Sequence, residues 1–369
     1  MGLKIYSSIL DICKGVMEPI EKAFAKIPSE GVCGVVLCGT SDTTEYHLLL
    51  SKIKSAIYAS IGKKVPVTLI PQHLLPIGGV AMEVYALDGE ANFQIKEQDG
   101  LCYGIVEGSD EKMLFVEGIP ASDFSASVHK QNQEVFAKLD ALLSAYGFEV
   151  GDIVRQWNYI GNIVSYRDGK QNYQEFNDAR SAYYAKSEWR NGYPAATGIG
   201  STEGIIVGGI AFKKANGAGV YPIDNPLQVA AHVYSKKVLI DDDENAVKST
   251  PKFERAKLIK TAGGVYCFVS GTAAIRGEES VDPNSAELQT VKTIENIEYL
   301  VSKENLVRFG CKPYELKYAF LHVFIKHAED HAAVKAVVER ACPQVPTIYS
   351  VADVCRSELL VEIEGILTL

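Results

Sequence analysis

The sequence predicts an α+β chain whose second half repeats the element order of its first. Two observations carry this. A helix–strand–helix–loop–strand order occurs twice, roughly 155–160 residues apart, although identity between the copies is slight. A turn-rich break, KKANGAGVYPIDNP at residues 213–226, separates them. Size agrees, since 369 residues and 40.2 kDa suffice for two domains. The expected division is 1–216, including an extra N-terminal α/β segment, and 217–369.

Taken in order, residues 3–26 have helical spacing of apolar positions and are expected to form an amphipathic helix. A buried strand follows at 32–38, a helix at 44–61 and a strand at 65–70. From about residue 85 the pattern turns to β, with strands at 92–95, 101–106 and 112–118 broken by glycines. The helix over 128–146 is marked by the stripe Val135, Phe136, Leu139, Leu142, Leu143 and Tyr146, with Gly147 placed to end it. A strand at 153–164, a helix at 173–185, a Gly/Pro/Thr loop at 193–200 and a strand at 204–212 complete the first copy. The polar stretch 241–250 reads as a surface loop. The second copy has a strand at 265–270 and a helix at 285–302, with Leu288, Val291, Ile294, Ile297 and Val301 inward. In the strand at 316–326, Tyr318, Phe320, His322, Phe324 and Lys326 share one face, and Ala319, Leu321, Val323 and Ile325 the helix side. A helix at 328–341 and a final strand close the chain.

Composition excludes several functions. With 37 basic and 46 acidic residues, a net charge of −9 and no basic block, nucleic-acid binding is not expected. No apolar run reaches the ~18–20 residues of a membrane span, and no signal peptide or complete myristoylation motif is visible, Tyr6 standing where Ser or Thr is needed. Eight cysteines without a CxxC pair read as reduced cytoplasmic thiols, and no metal site is expected. His327 and His331 at i, i+4 read as a solvated helix face. The glycines at 198, 200, 204, 208 and 209 precede no helix, so they form no dinucleotide fingerprint.

The run Leu359-Leu360-Val361-Glu362-Ile363-Glu364-Gly365 is apolar enough to be buried, yet period-2 geometry puts Glu362 and Glu364 together on one face. Such a strand is either a sheet edge with a wet face or the wall of an active site. Aligning the two copies sets Val207-Gly208-Gly209 against Val361-Glu362-Ile363, which suggests one working acid and a vacated partner position.

The stretch Gly264-Val-Tyr-Cys-Phe-Val-Ser-Gly-Thr272, a helix with Thr293, Glu295 and Asn296, the strand and helix over 316–341, and Val361-Glu-Ile-Glu-Gly365 resemble the RidA/YjgF family. In that family's deaminases the first Glu of the ending positions water, and an Arg about fifteen residues earlier holds a carboxylate. Thr347-Ile348-Tyr349 stands in that region here, without Arg. From about residue 65 the chain is similar to a narrower family, the chorismatases. The motifs are Arg155-Gln-Trp-Asn-Tyr-Ile160, Tyr173-Gln-Glu-Phe-Asn-Asp-Ala-Arg180, Tyr193-Pro-Ala-Ala-Thr-Gly-Ile-Gly200, Asn225-Pro226 with Gln228, Phe253-Glu-Arg-Ala256, Ser270-Gly-Thr-Ala273 and Cys355-Arg-Ser-Glu-Leu-Leu-Val-Glu-Ile-Glu-Gly365. Two positions depart: Gly277-Glu278 where the family usually has Gly-His, and Lys326 where it commonly has Arg.

The resemblance implies two fused RidA/YjgF-like (chorismate-mutase-like) domains, each a mixed sheet packed with helices, with a cleft between them. It implies chorismate as substrate, no cofactor, and a monomer or homotrimer. Cleaving an enolpyruvyl ether needs an acid to protonate the terminal methylene. A desolvated carboxyl fits that demand, and the family's catalytic Glu falls on Glu362. Two substrate carboxylates need cationic partners, for which Arg180, Arg255 and Lys326 are candidates. Tyr173 could add a hydrogen bond. Ala273 and Cys355 match pocket positions that steer product, and Cys355 favours the 3-hydroxybenzoate branch over a dihydroxycyclohexadiene carboxylate. Glu364 has no matched role and is expected to be structural. The rival expectations are a RidA-type imine or enamine hydrolase, and a non-catalytic carboxylate-binding protein.

Overall fold

The computed structural model describes residues 3–12, 15–39, 45–76, 79–87, 93–167, 169–215, 217–235 and 249–369. Three sheets meet in it. The N-terminal sheet orders its strands Leu3–Leu10, Val80–Leu87, Val32–Cys38, Val67–Ile70 and carries the helices Met17–Phe24 and Tyr46–Ile61. The single helix expected over 3–26 is therefore a strand followed by a shorter helix. Residues Leu3 to Leu10 pair antiparallel with Leu87 to Val80 in unbroken register, so a non-local ladder overrides the local spacing.

The middle sheet runs Phe93–Gln98, Leu101–Glu107, Glu111–Pro120, Ile205–Lys214, Ile153–Gly161, Ala195–Ser201. Only the last two strands are parallel. Its helices are Val128–Ala145 and Asn172–Tyr184. The predicted stripe holds, with Val135, Phe136, Leu139, Leu142 and Leu143 buried. Ser127 Oγ accepts from the Lys130 N–H, and Gly147 ends the helix at φ +67°.

The C-terminal sheet runs Val220–Ile223, Ala256–Thr261, Gly264–Ala273, Val361–Thr368, Lys317–Ile325, Thr347–Val351, and takes His73–Leu74 as a seventh strand. Its first six strands repeat the middle sheet position for position, again with one parallel pair at the end. The duplication read from the pattern is thus a duplication of topology, and the fold is α+β with mixed sheets.

Residues 193–200, expected as a loop, are mostly strand, because they pair parallel with Ile153–Gly161 and their small residues admit close neighbours on the other side. A Cβ at Gly200 would lie 2.8 Å from the Asp353 carbonyl oxygen. Leu288 does not face inward but is 52% exposed. The Ala286–Leu300 helix instead buries Gln289, whose amide serves the Glu358 carbonyl and the Leu360 N–H ahead of the final strand. In Lys317–Ile325, a register shift between Tyr318 and Phe320 turns Tyr318 toward the helix-side core, while Phe320, His322 and Phe324 keep the other face. The loop expected at 241–250 lies, save its last two residues, outside the described residues. Among the described residues no helix is long and apolar enough to cross a membrane.

The final strand lies between Gly264–Ala273 and Lys317–Ile325, so it is not an edge. Val361 and Ile363 pack into the helix-side core, and Glu362 and Glu364 are buried on the opposite face.

Candidate active site

A cleft of about 780 Å³, including open solvent at its mouth, lies where the Ala195–Ser201 strand and the Asn172–Tyr184 helix of the middle sheet face the C-terminal sheet. The edges are tied by backbone and hydroxyl. Ala196 N–H donates to Ser270 Oγ at 2.9 Å, and that hydroxyl donates to the Glu254 carbonyl at 2.6 Å.

Glu362 stands in the floor of this cleft, opposite Ala273 on one neighbouring strand and Phe324 on the other. Its carboxyl makes no hydrogen bond among the described residues. Burial, and then the negative charge of Glu364, push its carboxyl up to about 8, against the smaller pull of Arg155 and Arg255. At neutral pH it is an acid holding its proton.

Arg180 and Arg255 line the same cleft, each almost wholly buried. Arg180 Nη2 donates to Asn177 Oδ1 at 2.6 Å, and its guanidinium lies 5.3 Å from the Phe176 ring. Arg255 Nη2 donates to the Val229 carbonyl at 2.9 Å and to Tyr234 Oη at 2.6 Å. The Nε of each has no partner, and neither arginine makes an ion pair among the described residues. Two buried guanidiniums without carboxylates, facing one cleft, form a site for anionic groups.

Tyr173 also lines the cleft, its hydroxyl kept protonated by burial. Gly198 makes room for its ring, since a Cβ there would sit 3.3 Å from the ring edge. Ala273 and Cys355 are in the wall, and burial pushes the Cys355 thiol up to about 12, so it is neutral. Six of the seven residues expected in the site are thus brought together. The seventh, Lys326, is not among the lining residues. It follows directly on the end of its strand, and its ammonium is turned to the Ser357 carbonyl at 2.6 Å, with Asp353 at 3.8 Å. Glu278, the other departure, accepts from Ser235 N–H and Oγ and so holds the segment that carries Tyr234.

Arg356 was missed from sequence, though it stands inside the Cys355-Arg-Ser-Glu motif. It is buried in the cleft wall, donating to the Glu278 carbonyl at 2.8 Å and lying 5.3 Å from the Tyr234 ring. Also missed was an ion pair between the sheets. Arg155 Nη2 donates to Glu364 Oε2 at 2.6 Å, Trp157 Nε1 to Glu364 Oε1 at 3.2 Å, and Thr197 Oγ1 donates to the same carboxylate.

The junction between the N-terminal and middle sheets repeats the backbone of this site. Gly118 N–H donates to Thr68 Oγ1 there, as Gly271 N–H donates to Thr197 Oγ1 here. The pairing corrects the expected alignment: Ile206 lies between Pro120 and Tyr159 as Glu362 lies between Ala273 and Phe324, so Ile206 occupies the position of Glu362 and Gly208 that of Glu364. The nearby Glu117 is paired with Lys54 at 2.7 Å. Where one junction keeps an acid that is unpaired among the described residues, the other has isoleucine.

The chain is similar to several known proteins. A family model described as chorismatase FkbO/Hyg5-like, N-terminal, matches residues 89–211. A 3-hydroxybenzoate synthase of Streptomyces hygroscopicus is 31% identical over 296 residues, covering 77% of this chain and 80% of its own. A chorismatase of Streptomyces rapamycinicus is 30% identical over 239 residues, covering 63% and 68%. A crystal structure of a chorismatase superposes with a TM-score of 0.71 over 100% of this chain and 99% of its own, at 20% identity, a likeness of fold. From the shared sequence over four-fifths of that first relative, together with the shared fold, it follows that the chain belongs to the chorismatase family.

Proposed function

We propose that the protein cleaves the enolpyruvyl ether of chorismate to pyruvate and a hydroxybenzoate, with Glu362 as general acid and then base. The observation that carries this is a protonated, unbonded carboxyl facing the same cleft as buried arginines that lack carboxylate partners. Chorismate carries one carboxylate on its ring and another on the enolpyruvyl group. Arg180 and Arg255 hold these two, with Tyr173 and Arg356 beside them. Glu362 gives its proton to the terminal methylene, and the ether carbon becomes an oxocarbenium ion. The carboxylate so formed stabilises that cation at short range.

The cation is then attacked by the ring hydroxyl or by water. In the first branch pyruvate leaves, the ring becomes aromatic as it loses a proton to Glu362, and no water is consumed. In the second, one water is added and a dihydroxycyclohexadiene carboxylate results. Ala273 and the neutral Cys355 place small, weakly polar groups beside the acid and add no second base to it. This supports the hydroxybenzoate branch, with 3-hydroxybenzoate the product.

The test separates binding from turnover. Glu362→Gln is expected to bind chorismate within about 3-fold of the unaltered protein while turnover falls about 10²–10⁴-fold. Turnover above a tenth of the original would remove Glu362 from the mechanism. A variant that also failed to bind would mark it as a substrate ligand instead.

A further inference from the structure

Glu364 contributes no atom to the cleft lining, and the chemistry above does not use it. It is nonetheless buried, charged and bound by three side chains of the opposite sheet, from Arg155, Trp157 and Thr197. Thr197 is the link to the cleft. Its hydroxyl accepts from Arg155 Nη2 at 2.8 Å and from the Gly271 N–H at 3.1 Å while donating to Glu364. Gly271 is the residue against which the Glu362 carboxyl rests, its missing Cβ leaving the space that carboxyl fills. A continuous set of contacts therefore runs from Glu364 through Thr197 to the backbone under Glu362.

We propose that Glu364, clamped by Arg155 and Thr197, is a positioning residue that sets both the placement and the charge environment of the Glu362 carboxyl. The proposal rests on the reading of Glu362 as the acid. The nearby groups leave this pair as the controlling charge beside the acid on its own face. Glu362 is faced by Arg180 and Tyr173 from the helix, by Arg255 from the 253–255 segment, and by Cys355 and Arg356 from the loop before its strand. The arginines of the cleft are there for substrate carboxylates, and the tyrosine and thiol are neutral. Around Glu364, Glu117 lines the same cavity and is paired with Lys54 at 2.7 Å, while Glu83, His322, Tyr85 and Tyr159 are uncharged near neutral pH. Burial pushes Glu83 up to about 8 and His322 down to about 3, and it raises Tyr85 and Tyr159 well above the ordinary tyrosine value. Arg155 and Glu364 are thus the buried charge pair of this face that acts on Glu362. Its negative member raises the proton affinity of Glu362 and its positive member opposes that, with Glu364 the larger influence.

Glu364→Gln keeps the shape and removes the negative charge, leaving the Arg155 cation to act alone. Both changes favour ionised Glu362. Two readouts are taken on the full chain: the carboxyl-carbon NMR titration of Glu362, which needs no turnover, and kcat against pH with chorismate. The expected result is a Glu362 midpoint lower by about one pH unit or more. The basic limb of kcat moves by the same amount, activity returns at low pH, and KM stays within about 3-fold. Thr197→Val is expected to lower kcat at every pH, and Thr197→Ser to restore it. An unmoved midpoint in Glu364→Gln, or a loss equal at all pH values, overturns the proposal and leaves Glu364 a structural tie. Should Glu364→Gln not fold, Arg155→Lys is read in its place. Keeping the charge but not the fork, it is expected to lower kcat about 10-fold with the basic limb in place; unchanged kcat overturns the clamp. Wild-type protein that leaves chorismate untouched sinks the functional reading instead, and the NMR midpoint still decides the proposal.

Discussion

The carboxyl of Glu362 occupies the space that a side chain at Gly271 would need. A Cβ built at Gly271 would meet Glu362 Oε1 far inside contact distance, and the Thr197 methyl at 3.2 Å. The obstacle is the end of a flexible side chain rather than backbone, so Gly271→Ala is expected to fold and to displace the acid. The predicted outcome is a thermal midpoint within about 3 °C of the original with kcat lowered about 100-fold or more, measured by calorimetry and steady-state kinetics. A fully active variant would show that the observed placement of Glu362 is not the working one.

The arginines predict a trade between binding and stability. Arg180 and Arg255 are buried without carboxylate partners among the described residues, so replacing either by Gln removes a desolvated charge. Each variant is expected to raise KM about 10–100-fold, the equivalent of one lost charged hydrogen-bonding partner at ~1.5–3 kcal/mol. Stability in the absence of substrate should stay the same or rise. Kinetics paired with denaturant unfolding checks both halves. Lys326→Gln, outside the cleft, should leave KM unchanged.

Glu83 and Glu362 both hold their protons up to about 8 in the folded chain, against an ordinary value of 4.5. Between those values the unfolded chain has released protons that the folded chain still binds, so stability falls as pH rises from about 4.5 to 8. Glu83→Gln keeps an oxygen able to accept from Tyr85 Oη, a bond of 2.7 Å in the parent. It should raise the thermal midpoint at pH 8 by about 1–3 °C more than at pH 5. An equal effect at both pH values would place the ionised carboxylate in the folded state. For Glu362 the same shift predicts kcat that is level below about pH 8 and falls above it.

Much of this was legible in the chain because it is local. Alternation along Val361–Gly365 put Glu362 and Glu364 on one face, and both are there, though the strand is central and an edge reading fails. The helix stripe from Val135 to Leu143 was equally plain. What failed was non-local. Leu3–Leu10 has helical spacing but pairs with a strand some seventy residues on. The run 193–200 has the composition of a loop, yet it pairs as a strand with Ile153–Gly161, and its glycines make room for the Tyr173 ring and the backbone of Asp353. The Arg155–Glu364 pair joins residues 209 apart. Period 2 places Arg155 and Trp157 together, but nothing in it names the strand they face.

Cys355 and Ala273 give a prediction about products. Opening the wall with Cys355→Gly leaves room for water beside Glu362. The dihydroxycyclohexadiene carboxylate should then rise as a share of product by about 10-fold or more, read by chromatography with mass detection. An unchanged product ratio would remove Cys355 from control of the branch.

The most direct test of the central claim is to incubate the purified protein with chorismate, without added cofactor, and identify the products by mass spectrometry beside Glu362→Gln. The account predicts pyruvate and 3-hydroxybenzoate in equal amounts from the unaltered protein, and chorismate bound but intact in the variant. Chorismate left intact by the unaltered protein, or consumed equally by both, would contradict it.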